Sequence, residues 1–250
     1  MTDPLPLSGQ TALVTGAARR VGAQIARTLH AAGANIMIHC HRSLAEAQRL
    51  AAQLEQARAG SAAVSVTDLR DTAALPGLIA GTCDRFGALD LLINNASSFY
   101  PTPIGQITLA QWNDLIGTNL QAPLFLAQAA APELRRRGGS LLNIVDIHGL
   151  RPLREHAVYS TAKAGLIMLT RALARELAPQ VRVNAIAPGA VLWPEQGLDE
   201  ARRDRIRAQT PLQRPGSPED IARAVLFFAT QAPFVTGQVL AVDGGRSIGW

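Results

Sequence analysis

Thr11-Ala-Leu-Val-Thr-Gly-Ala-Ala-Arg-Arg-Val-Gly22 is the stretch whose reading decides the fold. Thr11 to Val14 is a short, largely apolar run, the pattern of a strand buried on both faces. Gly16 lets the chain turn sharply, and from Val21 to Ala32 the apolar residues recur at helical spacing. A strand that turns straight into a helix leaves the first helical N–H groups unpaired, with the positive end of the helix dipole at the strand's carboxyl end. Such a terminus suits a pyrophosphate. Gly22 is expected to let the helix lie close to the strand.

The alternation continues outward from this stretch. Asn35–His39, Ala62–Val66, Leu89–Ile93, Ser140–Val145, Val181–Ile186 and Gln238–Val242 read as further strands. Helical spacing covers Ala45–Arg58, Thr72–Phe86, Tyr159–Leu177 and Asp220–Thr230, with Gly33 and Gly87 as stops. A longer helix is expected to start at a Thr108 cap and run past Asn119, bent by Pro123. Strand and helix in alternation imply an α/β fold: a doubly wound, parallel seven-stranded sheet with helices on both faces and right-handed crossovers. No linker or low-complexity segment interrupts it, so one domain is expected over residues 1–250. Ligands of such sheets sit outside the carboxyl ends of the strands, at the switch point.

Composition narrows the class. Hydrophobic residues are 48% of the chain and aromatics only 4%, so Ala, Val, Leu and Ile must fill the core. The net charge of +5 is dispersed, and its densest run, Arg202-Arg-Asp-Arg205, is flanked by Asp199 and Glu200 as on a solvated helix face. A nucleic-acid partner is not expected. No apolar stretch reaches the ~20 residues of a membrane span, and Met1-Thr2-Asp3-Pro4 opens no secretory signal, so a cytoplasmic enzyme is expected. Cys40, Cys83 and the five His form no metal-ligand spacing.

Two further segments carry chemistry. The second strand ends in His39-Cys-His-Arg-Ser43, without the Asp or Glu that would bind the ribose hydroxyls of NAD. Arg42, Ser43 and His41 are instead donors for a 2′-phosphate, which points to NADP(H). Tyr159-Ser-Thr-Ala-Lys163 sets a phenol and an ammonium on one helix face, where the cation is expected to favour the phenolate.

Together these segments resemble the short-chain dehydrogenase/reductase family over Leu7 to Gly245. The turn is similar to that family's Thr-Gly-x-x-x-Gly-x-Gly motif, with Arg20 at the middle glycine. The resemblance implies a Rossmann fold. It implies a cofactor site from Gly16, Arg19, Arg20, Val21, Gly22, Asp68, Leu69, Asn95, Ala96, Ser97, Pro188 and Gly189, and catalysis by Tyr159 and Lys163. Asn119 matches the asparagine that organises a relay water, and Lys163 would also hold the nicotinamide ribose. Members commonly form tetramers through the helices after strands four and five, so a homotetramer is expected. Leu166, Met168, Leu169 and Leu173 are available for the core and that contact.

Two departures point to one branch. Asp146 stands where the family usually has a serine, thirteen residues before the tyrosine, and Ser97-Ser-Phe-Tyr-Pro101 replaces a glycine after Asn-Asn-Ala. With Arg19 and Arg20 they resemble the pteridine reductases, which implies a small pterin-like substrate. Hydride would go from NADPH to a ring C=N, with protons from Tyr159 and Asp146. Phe99 is expected to stack on the ring in a sandwich with the nicotinamide, Arg20 and Ser97 to contact the substrate, and Trp193 to cover it from the loop Val191–Asp199. The tail ending in Trp250 is placed to reach a neighbouring site. The rival readings are a carbonyl or 3-oxoacyl reductase of the same family and a non-catalytic NADP(H)-binding regulator. Tyr159, Lys163 and Asn119 together argue against the second.

Overall fold

A computed structural model describes residues 4–192 and 199–248. Its strands are β1 (Thr11–Val14), β2 (Asn35–Cys40), β3 (Ala62–Val66), β4 (Leu91–Asn94), β5 (Ser140–Ile144), β6 (Arg182–Pro188) and β7 (Val239–Val242). All pair in parallel in one seven-stranded sheet, ordered β3-β2-β1-β4-β5-β6-β7. The chain winds outward from β1 to β3, then returns to lay β4 on the other side of β1. The crevice at the carboxyl ends of β1 and β4 is therefore the switch point.

The helices are α1 (Arg20–Ala31), α2 (Leu44–Ala57), α3 (Leu75–Phe86), α4 (Leu109–Ile116), α5 (Ala122–Arg137), α6 (Ala157–Glu176), α7 (Glu200–Ala208) and α8 (Pro218–Thr230). Alternate residues of a strand face opposite sides, and the core divides accordingly. Ala12 and Val14 of β1 join a cluster with Ile25 and Leu29 of α1, Leu50 of α2 and Val225 and Phe228 of α8. Leu13 faces the other way, into a cluster with Leu78 of α3, Leu126 and Leu134 of α5 and Leu177 after α6. Helices thus cover both faces, and aliphatic side chains fill the interior.

Several expectations need correction. The third helix begins at Leu75 rather than Thr72, and the fourth strand at Leu91 rather than Leu89. The sixth strand runs on to Pro188, paired with Val242, and brings the Pro188-Gly189 turn to the sheet's carboxyl edge. Thr108 does cap a helix, through a reciprocal box with Gln111. The helix runs past Asn119 as expected: α4, a π turn over Gly117–Gln121 and α5 follow one another without a break. Asn119 lies in the turn, its side-chain amide donating to Leu115 O at 2.9 Å. Pro123 lies just beyond and has no N–H with which to continue the α pattern onto residue 119.

Candidate active site

The carboxyl ends of β1, β2, β4, β5 and β6 open into a cleft of about 680 Å³. Its floor is the β1–α1 turn. Gly16 has φ 62°, and a Cβ there would stand 2.9 Å from Ala96 Cα. A Cβ on Gly22 would overlap Gly16 O and Asn95 Nδ2. Gly22 thus permits close contact with the turn that follows β1 and with the residue that follows β4. Thr15 and Asn95 lock this corner: Thr15 Oγ1 accepts from the N–H groups of Asn95 and Ala96 at 2.9 and 3.0 Å, and Asn95 Nδ2 donates to Thr15 O at 2.8 Å.

A contact that the sequence did not announce adds to this. Gly16 N–H donates to His39 Nδ1 at 3.2 Å, and His39 Nε2 lies 3.0 Å from Thr67 O. The ring must be neutral, with its proton on Nε2, and burial pulls its pKa down to about 4. His39 is therefore a strut beneath the turn, joining β1, β2 and β3.

A nicotinamide dinucleotide fits the residues present. The N-cap of α1, Arg19, makes no side-chain capping bond and no acid lies in the first turn, as suits an anion at that helix terminus. Arg20, at the family's middle-glycine position, has φ 54°, a conformation that ordinarily favours glycine. Val21, His41, Arg42, Ser43, Leu69, Ser97, Pro188 and Gly189 also line the cleft. Arg42 makes no hydrogen bond or ion pair among the described residues. The segment after β2 lacks a carboxylate of its own, but the fold brings Asp68 to 3.9 Å from His41. Arg70 engages that carboxylate at 2.7 Å and holds its pKa far below the usual range.

At the other end, α6 presents Tyr159 and Lys163 and the end of β5 presents Asp146. The Tyr159 hydroxyl donates to Asp146 Oδ2 at 2.8 Å, while Asp146 Oδ1 accepts from His148 N–H at 2.8 Å and caps a 3₁₀ turn, Ile147–Gly149. The expected phenolate is corrected here. Burial, then the charge of Asp146, pushes the Tyr159 pKa well up, so the phenol keeps its proton. Lys163 Nζ donates to Ile144 O at 3.0 Å and lies 5.7 Å from the Tyr159 ring centre. Burial lowers the Lys163 pKa to about 8.

Asn119 lies beside the cleft rather than in its lining. Its amide donates to Ser98 O at 2.9 Å and its Oδ1 accepts from Ser97 Oγ at 2.7 Å. Phe99, half exposed, also stands outside the lining: one face stacks on His156 at 4.7 Å and it meets Tyr159 edge-on at 4.8 Å. A flat ring can reach only its other face, which modifies the expected sandwich. Trp193 and Trp250 lie outside the described residues. Sequence reasoning missed Arg70 and Asp114, both in the lining; Arg70 is two residues beyond Asp68, but nothing local couples either to Asp114.

A dinucleotide-binding switch point beside a buried tyrosine–lysine pair defines a class, the nicotinamide-dependent oxidoreductases. Residues 16–247 match a family model described as enoyl-(acyl carrier protein) reductase. The chain is 35% identical to pteridine reductase 1 of Leishmania tarentolae, covering 95% of this chain and 96% of that one. It is 33% identical to a 3-oxoacyl-(acyl-carrier-protein) reductase of Staphylococcus aureus, covering 94% and 97%. Identity to 3beta-hydroxysteroid dehydrogenase 1 of Eggerthella lenta is also 33%, over 97% and 95%. The chain belongs to the short-chain dehydrogenase/reductase family, whose members use NAD(P)(H). No helix of the described residues is long and apolar enough to cross a membrane.

Proposed function

We propose that this oxidoreductase is an NADP(H)-dependent reductase of pterin-type rings, acting on a C=N bond of a pterin, dihydropterin or dihydrofolate. The observation that carries the reading is the 2.8 Å hydrogen bond between Tyr159 and Asp146. A ketone oxygen gathers negative charge as it is reduced, and a carboxylate on the tyrosine beside it would repel that charge. A ring nitrogen is basic enough to take its proton before or together with the hydride, so no full negative charge need build beside Asp146, and a phenol–carboxyl pair can deliver or relay that proton.

The bound cofactor supplies the hydride. Tyr159, with its raised pKa, holds a proton for the ring nitrogen, and Asp146 relays a replacement from solvent. Lys163, charged below about pH 8, positions the nicotinamide ribose beside them. Asn119 holds Ser97 and Ser98 at the substrate side, and the free face of Phe99 takes the ring. Arg20 completes the substrate's surroundings. NADP(H) is favoured over NAD(H) by Arg42, which has no partner among the described residues, with Ser43 and His41, and by the engagement of Asp68 with Arg70. Exposed Met168 of α6 and Leu109 and Trp112 of α4 favour a homotetramer.

A second reading, a carbonyl or 3-oxoacyl reductase, draws support from the 33% identity to enzymes named for such chemistry. Asp146→Asn separates the two. On the pterin reading it lowers kcat with dihydrobiopterin by about 100-fold or more and changes the pH profile. Full turnover with an unchanged profile would remove Asp146 from the mechanism.

A further inference from the structure

Four polar side chains from three stretches of chain form a continuous line from the cleft lining to the loop after β4. Asp68, after β3, grips Arg70 at two points: Nη2 donates to Oδ2 at 2.7 Å and Nε to Oδ1 at 3.1 Å. Arg70 Nη1 donates onward to Asp114 Oδ1 on α4 at 3.2 Å. The Tyr100 hydroxyl donates to the other oxygen of the same carboxylate at 3.0 Å. Each link uses a different atom, so all form at once. Asp68 borders the dinucleotide end, whereas Tyr100 follows Phe99 in the loop after β4.

A second path starts from the same arginine. Its stem lies on Gly117, where a Cβ would stand 3.3 Å from Arg70 Cγ. Gly117 opens the π turn, and Asn119 within that turn holds Ser97 Oγ and Ser98 O. Both paths end on one loop, residues 97–100.

We propose that Arg70 and Tyr100 are positioning residues for the second substrate, fixing the loop Ser97–Tyr100 against the dinucleotide end through Asp68 and Asp114. Neither acts on the reacting atoms. The inference rests on reading this cleft as a reductase site. Isolated surface ion pairs contribute little, because ordering two long side chains offsets their attraction. Here one guanidinium serves two carboxylates, so its ordering is shared between them. Arg70 keeps the Asp68 carboxyl ionised well into acid, and burial, then Asp114, pushes the Tyr100 phenol up so that it remains a donor.

The test is a double-mutant cycle of Tyr100→Phe and Arg70→Ala. It uses dihydrobiopterin or an acetoacetyl thioester, whichever the unmodified protein reduces, with NADPH binding followed separately by fluorescence. Each single change is expected to raise KM for the second substrate about fivefold while kcat stays within about twofold. The double variant should show no larger rise than Arg70→Ala alone rather than about 25-fold, because Tyr100→Phe cuts only a line that Arg70→Ala has already cut. Tyr100→Phe should leave the NADPH Kd unchanged and Arg70→Ala should raise it. Unchanged KM in both single variants, or effects that multiply in the double, would overturn the inference. Reduction of the thioester alone would count against the pterin reading and leave the cycle intact.

Discussion

Gly16 and His39 are joined across the first crossover by a 3.2 Å hydrogen bond from the Gly16 amide to Nδ1 of the imidazole. The bond needs a bare Nδ1, and burial supplies that condition by lowering the pKa to about 4. An unfolded histidine titrates near 6.5. As pH falls below that value the unfolded chain takes up a proton that the folded ring refuses, so stability falls until the ring itself titrates.

Between pH 6.5 and pH 5 this linkage removes about 1.5 kcal/mol. His39→Asn keeps an acceptor for the Gly16 amide but has no titrating ring. Denaturant unfolding should find the variant less stable at pH 7, with a pH dependence shallower than the parent's by about that amount. Parallel profiles would contradict the assignment.

Lys163 gives a second pH signature of opposite hand. Its charge is lost as pH rises through about 8, so kcat/KM, which reports the free enzyme, should decline above that pH. Stability moves the other way: between about 8 and 10.5 the unfolded lysine keeps a proton that the folded one has shed, so stability rises with pH. In Lys163→Arg the guanidinium stays charged and both trends should flatten. Initial rates and melting curves from pH 7 to 10 read the two effects.

The glycine turn makes a paired prediction. Gly22→Ala puts a methyl group onto Gly16 O and Asn95 Nδ2, forces the turn open, and should cost about 1–3 kcal/mol together with NADPH affinity. Arg20→Gly should do the reverse to stability, releasing about 1 kcal/mol of left-handed strain, while weakening NADPH binding. A melting curve and an NADPH titration on each variant check both. An Arg20→Gly protein that bound NADPH as tightly as the parent would remove Arg20 from the cofactor site.

The sheet was legible because its strands are continuous aliphatic runs; even their alternation, Ala12 and Val14 to one side and Leu13 to the other, follows from the strand's period. Much of the cleft lining was legible, because Gly16, His41, Arg42, Asn95, Asp146 and Pro188 lie at or just beyond the carboxyl ends of strands, where a motif can be placed by counting. What escaped depends on contacts between distant stretches. Asn119, in the π turn beside Pro123, meets Ser97 and Ser98 from the loop after β4, and no local pattern encodes that. His39 was a strand-end residue until the fold brought Gly16 to it. The phenolate expected at Tyr159 assumed that spacing to Lys163 decides the charge. Burial and Asp146 decide it instead, while Lys163 turns to the Ile144 carbonyl.

The most direct test of the central claim is the rate of NADPH oxidation with dihydrobiopterin or dihydrofolate, measured beside a simple ketone and an acetoacetyl thioester. The Asp146–Tyr159 pair predicts turnover of the pterin compounds and little or none of the carbonyl compounds. Turnover of the carbonyl compounds alone would leave the fold and the family standing and contradict the pterin assignment.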